Sequence, residues 1–114
     1  KMTAIVAGSL PGTSASIRFQ QEYPAMAPTD RNREVLAVLD SVSRDLGAGP
    51  VTAQDPAERG AGDISFVCTD GRLACLDGLG ALGDGAHAPG EYVDIDALYL
   101  QIRRAALLFY RLTR

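Results

Sequence analysis

Residues 94–112 read DIDALYLQIRRAALLFYRL, the strongest helical pattern in the chain. Ile95, Leu98, Ile102, Ala105, Ala106 and Phe109 fall on one side at helical spacing, and Asp94 or Asp96 stands where an N-cap belongs. Arg103, Arg104, Arg111 and Arg114 occupy the later turns, where cations suit the helix dipole. A segment of this kind needs another element to bury its apolar side.

Working outward, a second helix is expected after YPAMAPT at 23–29, where Pro24 and Pro28 hold the chain extended and Thr29 or Asn32 can cap. Val35, Leu39, Val42 and Leu46 share one face of it, and Gly47 supplies the stop. Upstream, residues 13–23 alternate apolar and polar at Ala15, Ile17 and Phe19, the pattern of a strand with one buried face. Downstream, VTA at 51–53 reads as a short strand, followed by the loop DPAERGAGD at 55–63. DISFVCT at 63–69 opens a short helix with Asp63 as its cap, and 73–76 form a further strand. Residues 77–90 are glycine-rich and irregular, a composition that lets backbone approach a ligand closely. This order of strands and helices predicts an α/β domain with helices on a mixed sheet.

The 114 residues suffice for one modest domain. With 46% hydrophobic and 22% charged residues, the composition is that of a packed globular protein. A net charge of −3 with scattered Lys and Arg provides no basic stripe, which argues against a nucleic-acid partner. No apolar run approaches the ~18 residues of a membrane span. Cys68 and Cys75, with six residues between them, fit neither a CxxC redox pair nor a zinc ribbon. They read as buried free thiols in a reducing compartment, so a cytoplasmic location is expected.

His87 is the sole histidine, flanked in its loop by Asp84 and Glu91. A catalytic zinc takes about three protein ligands and keeps one open position. Taken alone, one loop histidine therefore reads as a surface or capping residue. Asp63, Asp77, Asp84 and Glu91 are the available carboxylates, but no HExxH-like spacing joins them to it. Ser65 and Cys68 lack the context of an activated nucleophile, and GLGALGDG has neither the spacing nor the lysine of a phosphate loop.

Four segments in order change that reading: RGAGDISF at 59–66, LDGLGALGDGAH at 76–87, EYVDIDAL at 91–98 and RRAALLFYRL at 103–112. Together they resemble the C-terminal third of the aminoacylase and glutamate carboxypeptidase zinc peptidases, peptidase family M20. Such proteins carry a Gly-Gly-Ser-Asp-like turn, a Leu-Gly-rich loop with a histidine some two dozen residues later, a Glu-Tyr-Val-like stretch and a closing apolar helix. Here Asp63 and His87 stand 24 positions apart. The resemblance covers about residues 20–114 and implies a partial zinc-peptidase-like catalytic domain from residue 23, preceded at 1–22 by the last part of a lid or dimerisation domain.

On that resemblance His87 is the last ligand of a two-zinc site, and Gly62 and Asp63 belong to a turn beside the substrate pocket. Asp63 itself is expected to act as a cap, and Glu91 occupies the acidic position after the histidine. Tyr23, before Pro24, stands where glutamate-cleaving members carry an arginine, which points away from glutamate specificity. In the intact family enzyme two zinc ions activate a water and polarise the scissile carbonyl of a small peptide or N-acyl amino acid. The remaining ligands and the catalytic glutamate have no counterpart in this chain, so catalysis by these residues alone is not expected. Self-association, most simply as a homodimer, is expected from apolar faces left uncovered. The competing reading is a non-catalytic α/β self-association module.

Overall fold

The computed structural model describes residues 1–20, 23–55 and 62–114. Its elements are α1 (Met2–Val6), α2 (Asp30–Asp45), α3 (Ile64–Val67), β1 (Gly83–Asp84), β2 (Tyr92–Val93) and α4 (Ile95–Leu112). Helices plus one two-stranded antiparallel sheet are compatible with part of an α/β fold; the expected mixed sheet is not among the described residues.

Helix α2 begins where its capping chemistry is best. Thr29 is extended and its side-chain oxygen accepts from Asn32 N–H at 3.2 Å, which decides between the two candidate caps. At the other end Gly47 takes φ +72°. Its N–H donates to the Arg44 carbonyl while Ala48 N–H reaches the Ser43 carbonyl, the paired bonds of a Schellman ending. Helix α4 is capped by Asp94, whose carboxylate accepts from Ala97 N–H at 2.9 Å.

The two long helices pack on each other, and the fully buried apolar residues between them are Leu39, Val42 and Leu108. Leu36, Leu46, Val51, Leu76, Leu79 and Leu107 pack around this small core. The face that α4 buries differs from the expected one. Leu108 and Gln101 are buried, whereas Ile95, Ile102, Ala106 and Phe109 face outward with Tyr99. The reason lies in what α2 offers: Ser43 accepts from Arg104, and Ser41 and Asp45 receive Arg111, so the polar edge of α4 is drawn inward.

The expected strand does not form over residues 13–20. Residues 13–20 have no regular structure and Ile17 and Phe19 are exposed, because no described segment offers a ladder to pair with. Residues 21 and 22 lie outside the described residues, as does most of the loop expected at 55–63. Residues 51–53 and 73–76 likewise form no strand: Val51 N–H donates to the Asp40 carboxylate and Cys75 N–H to the Asn32 side chain, so side chains take bonds a ladder would have taken. Cys68 and Cys75 are joined in a disulfide with Cα atoms 6.5 Å apart, which corrects the expectation of free thiols and removes the ground for a reducing compartment. Among the described residues no helix is long and apolar enough to cross a membrane.

The chain is open in shape. Its Cα radius of gyration is 19.5 Å, against about 13 Å for a compact domain near this length.

Candidate functional site

The histidine sits on the hairpin that joins β1 to β2, whose register pairs Gly83 with Val93 and Asp84 with Tyr92. Gly83 is required there, since a β-carbon on it would overlap the Tyr92 carbonyl oxygen. In the connecting loop Asp84 accepts from Gly85 N–H at 2.7 Å, Ala88 N–H donates to the Gly85 carbonyl and Glu91 N–H to the Ala88 carbonyl. Gly85 takes φ +73° and His87 takes φ +64°. His87 is the one non-glycine residue at positive φ among the described residues, and its side chain is exposed at the tip of the loop. A left-handed histidine costs free energy that the surrounding turn must hold in place, and such positions concentrate at functional sites.

Beside the hairpin is a shallow hollow of about 290 Å³ lined by Leu82, Asp84, Glu91 and Tyr92 among others. Glu91 is exposed, as expected of a loop acid. Among the described residues no group of three or more His, Cys, Asp or Glu side chains is arranged to hold a metal ion. One imidazole does not fit the donor set of a catalytic zinc, which takes three protein ligands, so no reaction step follows from this chain's residues with a metal.

Of the other expected site residues, Gly62 lines a separate groove, whereas Asp63 and Tyr23 are exposed and are not among its described lining residues. This larger groove of about 740 Å³ runs between α2, α4 and the segments at 51–54 and 75–79, and Gly62, Ser65, Asp77, Gln101 and Arg104 are on its wall. Gly62 lies so close to the Asp77 carboxylate that a β-carbon would strike it. Asp63 precedes α3 with helical backbone angles and makes no side-chain capping bond, so its expected role as a cap is corrected. The turn is closed instead by backbone bonds from Ser65 N–H to the Gly62 carbonyl and Phe66 N–H to the Asp63 carbonyl. Tyr23 meets the same element, its ring 4.9 Å from that of Phe66 in an edge-on contact. Tyr23 and the Gly62–Asp63 turn are thus neighbours through α3.

Three features of this wall were not visible in the sequence as site features. Gln101 donates to the Gly78 carbonyl at 2.8 Å and accepts from Arg104 at 3.0 Å. Arg104 in turn donates twice to the Ser43 hydroxyl, which donates to the Gly49 carbonyl at 2.7 Å. Asn32 is the third: it donates to the Ala27 carbonyl and accepts from Cys75 N–H, both at 2.8 Å. A glutamine set between Leu100 and Ile102 was the sequence signal for the first of these.

The chain matches no curated protein and no solved structure. The family model described as peptidase family M20/M25/M40 matches residues 3–111, nearly the whole chain, including the hairpin with His87 and the closing helix. On that match, the chain belongs to peptidase family M20/M25/M40.

Proposed function

We propose that this chain is the C-terminal segment of a zinc-dependent peptidase or amidohydrolase that cleaves a small peptide or N-acyl amino acid. The match to peptidase family M20/M25/M40 supports the reading as a hydrolase of peptide or amide bonds. In the proposed division of labour, residues 1–22 end a lid or dimerisation domain and residues 23–114 close the catalytic domain. His87 supplies one imidazole donor to a two-zinc site whose other ligands come from outside this chain. When bound, such ions would polarise the scissile carbonyl and activate water. Gly62, Asp63 and Tyr23 contribute wall to the substrate pocket, and the chain by itself is inactive.

The observation that carries this reading is the left-handed His87 at a hairpin tip, within a family match that spans the motif set. A turn that holds an imidazole outward against its backbone preference suits a ligand delivered to donors on other segments. Replacing His87 with Ala in the full-length protein is expected to lower zinc content and turnover together, with the circular dichroism spectrum unchanged. Wild-type zinc content and activity in that variant would overturn the assignment. The 114-residue chain alone is expected to hydrolyse neither N-acyl amino acids nor dipeptides, and steady zinc-dependent turnover from a mass-verified sample would refute that.

The outward stripe Ile95, Tyr99, Ile102 and Phe109 of α4 supports pairing with a second copy, because apolar patches of this kind favour association. The same stripe suits the alternative reading as a self-association module. Light scattering at micromolar concentration is expected to show a dimer; a monomer would exclude that second reading. The outcome of the His87→Ala zinc assay separates a dimeric enzyme from a dimeric module.

A further inference from the structure

The segment 70–79 is anchored from both helices. Arg31 of α2 donates to the Arg72 carbonyl at 2.9 Å, Asn32 accepts from Cys75 N–H at 2.8 Å, and Gln101 of α4 donates to the Gly78 carbonyl at 2.8 Å. Helix α3 has a different kind of support. Its four residues are too few for a stable helix by themselves. The backbone bonds described for it are local, from Ser65 to Gly62, from Phe66 to Asp63 and from Cys68 to Ile64. Among the described residues its ties to the remainder include the buried Ser65 on the groove wall, the Tyr23 ring on Phe66, the approach of Gly62 to Asp77, and one covalent link, Cys68–Cys75.

That link therefore runs from the C-cap of the weakly supported helix to the residue that α2 grips through Asn32. We propose that the Cys68–Cys75 disulfide is a redox latch on the groove wall. Oxidised, it clamps α3 and its Gly62–Asp63 turn to the segment anchored by α2 and α4; reduced, it releases them while the α2–α4 pair stays folded.

The chemistry is ordinary thiol–disulfide exchange with a dithiol. One thiolate of the dithiol attacks a sulfur of the bridge, breaking the S–S bond and forming a mixed disulfide. The second displaces the remaining protein thiolate. The dithiol leaves as its own disulfide, having supplied two electrons, and two protons complete the protein thiols. Both cysteines are buried, but Thr69, Asp70, Arg72, Leu73 and Ala74 of the loop between them are exposed, so opening that loop admits the attacking thiolate. The consequence for substrate rests on the reading of Gly62–Asp63 as pocket wall, whereas the latch itself does not.

The test uses dithiothreitol as the dithiol, with mass spectrometry and amide hydrogen exchange as readouts that need neither metal nor turnover. The protein is expected to gain 2 Da and two alkylatable thiols on reduction, values fixed by the two-electron stoichiometry. Exchange in residues 62–68 should then accelerate by at least about tenfold, with α2 and α4 protected as before. The double variant Cys68→Ser, Cys75→Ser should show the fast pattern without reductant and no response to it. Two free thiols in the untreated protein, unchanged exchange in 62–68 after verified reduction, or equal loss of protection in α2 and α4 would each overturn the proposal. Failure of the zinc assignment at His87 would leave all these readouts untouched.

Discussion

Ser43 is fully buried where α2 faces α4, and its hydroxyl uses all of its hydrogen-bonding capacity. Its proton goes to the Gly49 carbonyl at 2.7 Å, and its oxygen accepts from Arg104 Nε at 3.1 Å and from a terminal nitrogen at 2.7 Å. Ser43→Ala removes the acceptor of a guanidinium and leaves the Gly49 carbonyl without its donor. A hydrogen bond to a charged group is worth about 1.5–3 kcal/mol and a neutral one about 1. Arg104 is only half-buried and keeps its bond to Gln101, so water restores part of the loss. The net destabilisation expected is about 2–3 kcal/mol, roughly a 30- to 150-fold fall in the folding equilibrium constant. Urea unfolding followed by circular dichroism measures it, with Ser41→Ala as control. Ser41 is exposed and accepts from Arg111 at 3.1 Å, so its loss should cost under about 0.5 kcal/mol. A cycle with Arg104→Met should show coupling of about 1 kcal/mol or more. If Ser43→Ala unfolded like the control, or the two changes were additive, the helix pair would owe nothing to this network.

At the hairpin, His87→Gly relieves the left-handed penalty and should leave stability unchanged or raise it by up to about 1 kcal/mol in thermal melts, whereas a clear loss would mean the side chain holds the loop. Gly83→Ala places a carbon on the Tyr92 carbonyl oxygen and should abolish the protection of Asp94 N–H, which donates to the Leu82 carbonyl at 2.8 Å; retained protection in hydrogen exchange would contradict the packing. Asp40 has its pKa lowered from the ordinary 3.8, first by the hydrogen bond from Arg44 and then by that from Val51 N–H. A depressed carboxylate stabilises the fold fully above its unfolded value and loses that contribution as pH falls through the folded value. Stability should therefore decline below about pH 4 in acid titration, and Asp40→Asn should flatten that limb; an unchanged limb would remove Asp40 from the account.

The long helices were legible because their ends are written in local chemistry. Thr29, Gly47 and Asp94 each act within four residues, so no distant partner is needed to recognise them. The failures share the opposite property. Alternation at Ala15, Ile17 and Phe19 records a face suited to burial, yet a strand exists only where another strand pairs with it. The inward face of α4 depended on serines and an aspartate of α2 that lie 61 to 70 positions away in sequence. Periodicity could find the stripe of Ile95, Ile102 and Phe109 but not whether that stripe or the Gln101–Arg104 edge would meet α2. The pairing of Cys68 with Cys75 was equally hidden, since spacing alone does not bring two sulfurs together. At the candidate site, the motif order pointed to the family that the sequence match bears out, and His87 carried no visible backbone signal until its φ was known.

The ladder beneath His87 is only two residue pairs long, and that brevity has a consequence in time. Isolated two-stranded hairpins are marginal, and hairpins form within about 1–10 μs. An enzyme working at a typical ~10 per second spends about 100 ms on each cycle. Once open, such a hairpin would reclose on the order of ten thousand times faster than one such cycle. On the proposed role of His87 as a zinc donor, the presentation of its imidazole would depend on how fast this short hairpin closes relative to how fast it opens.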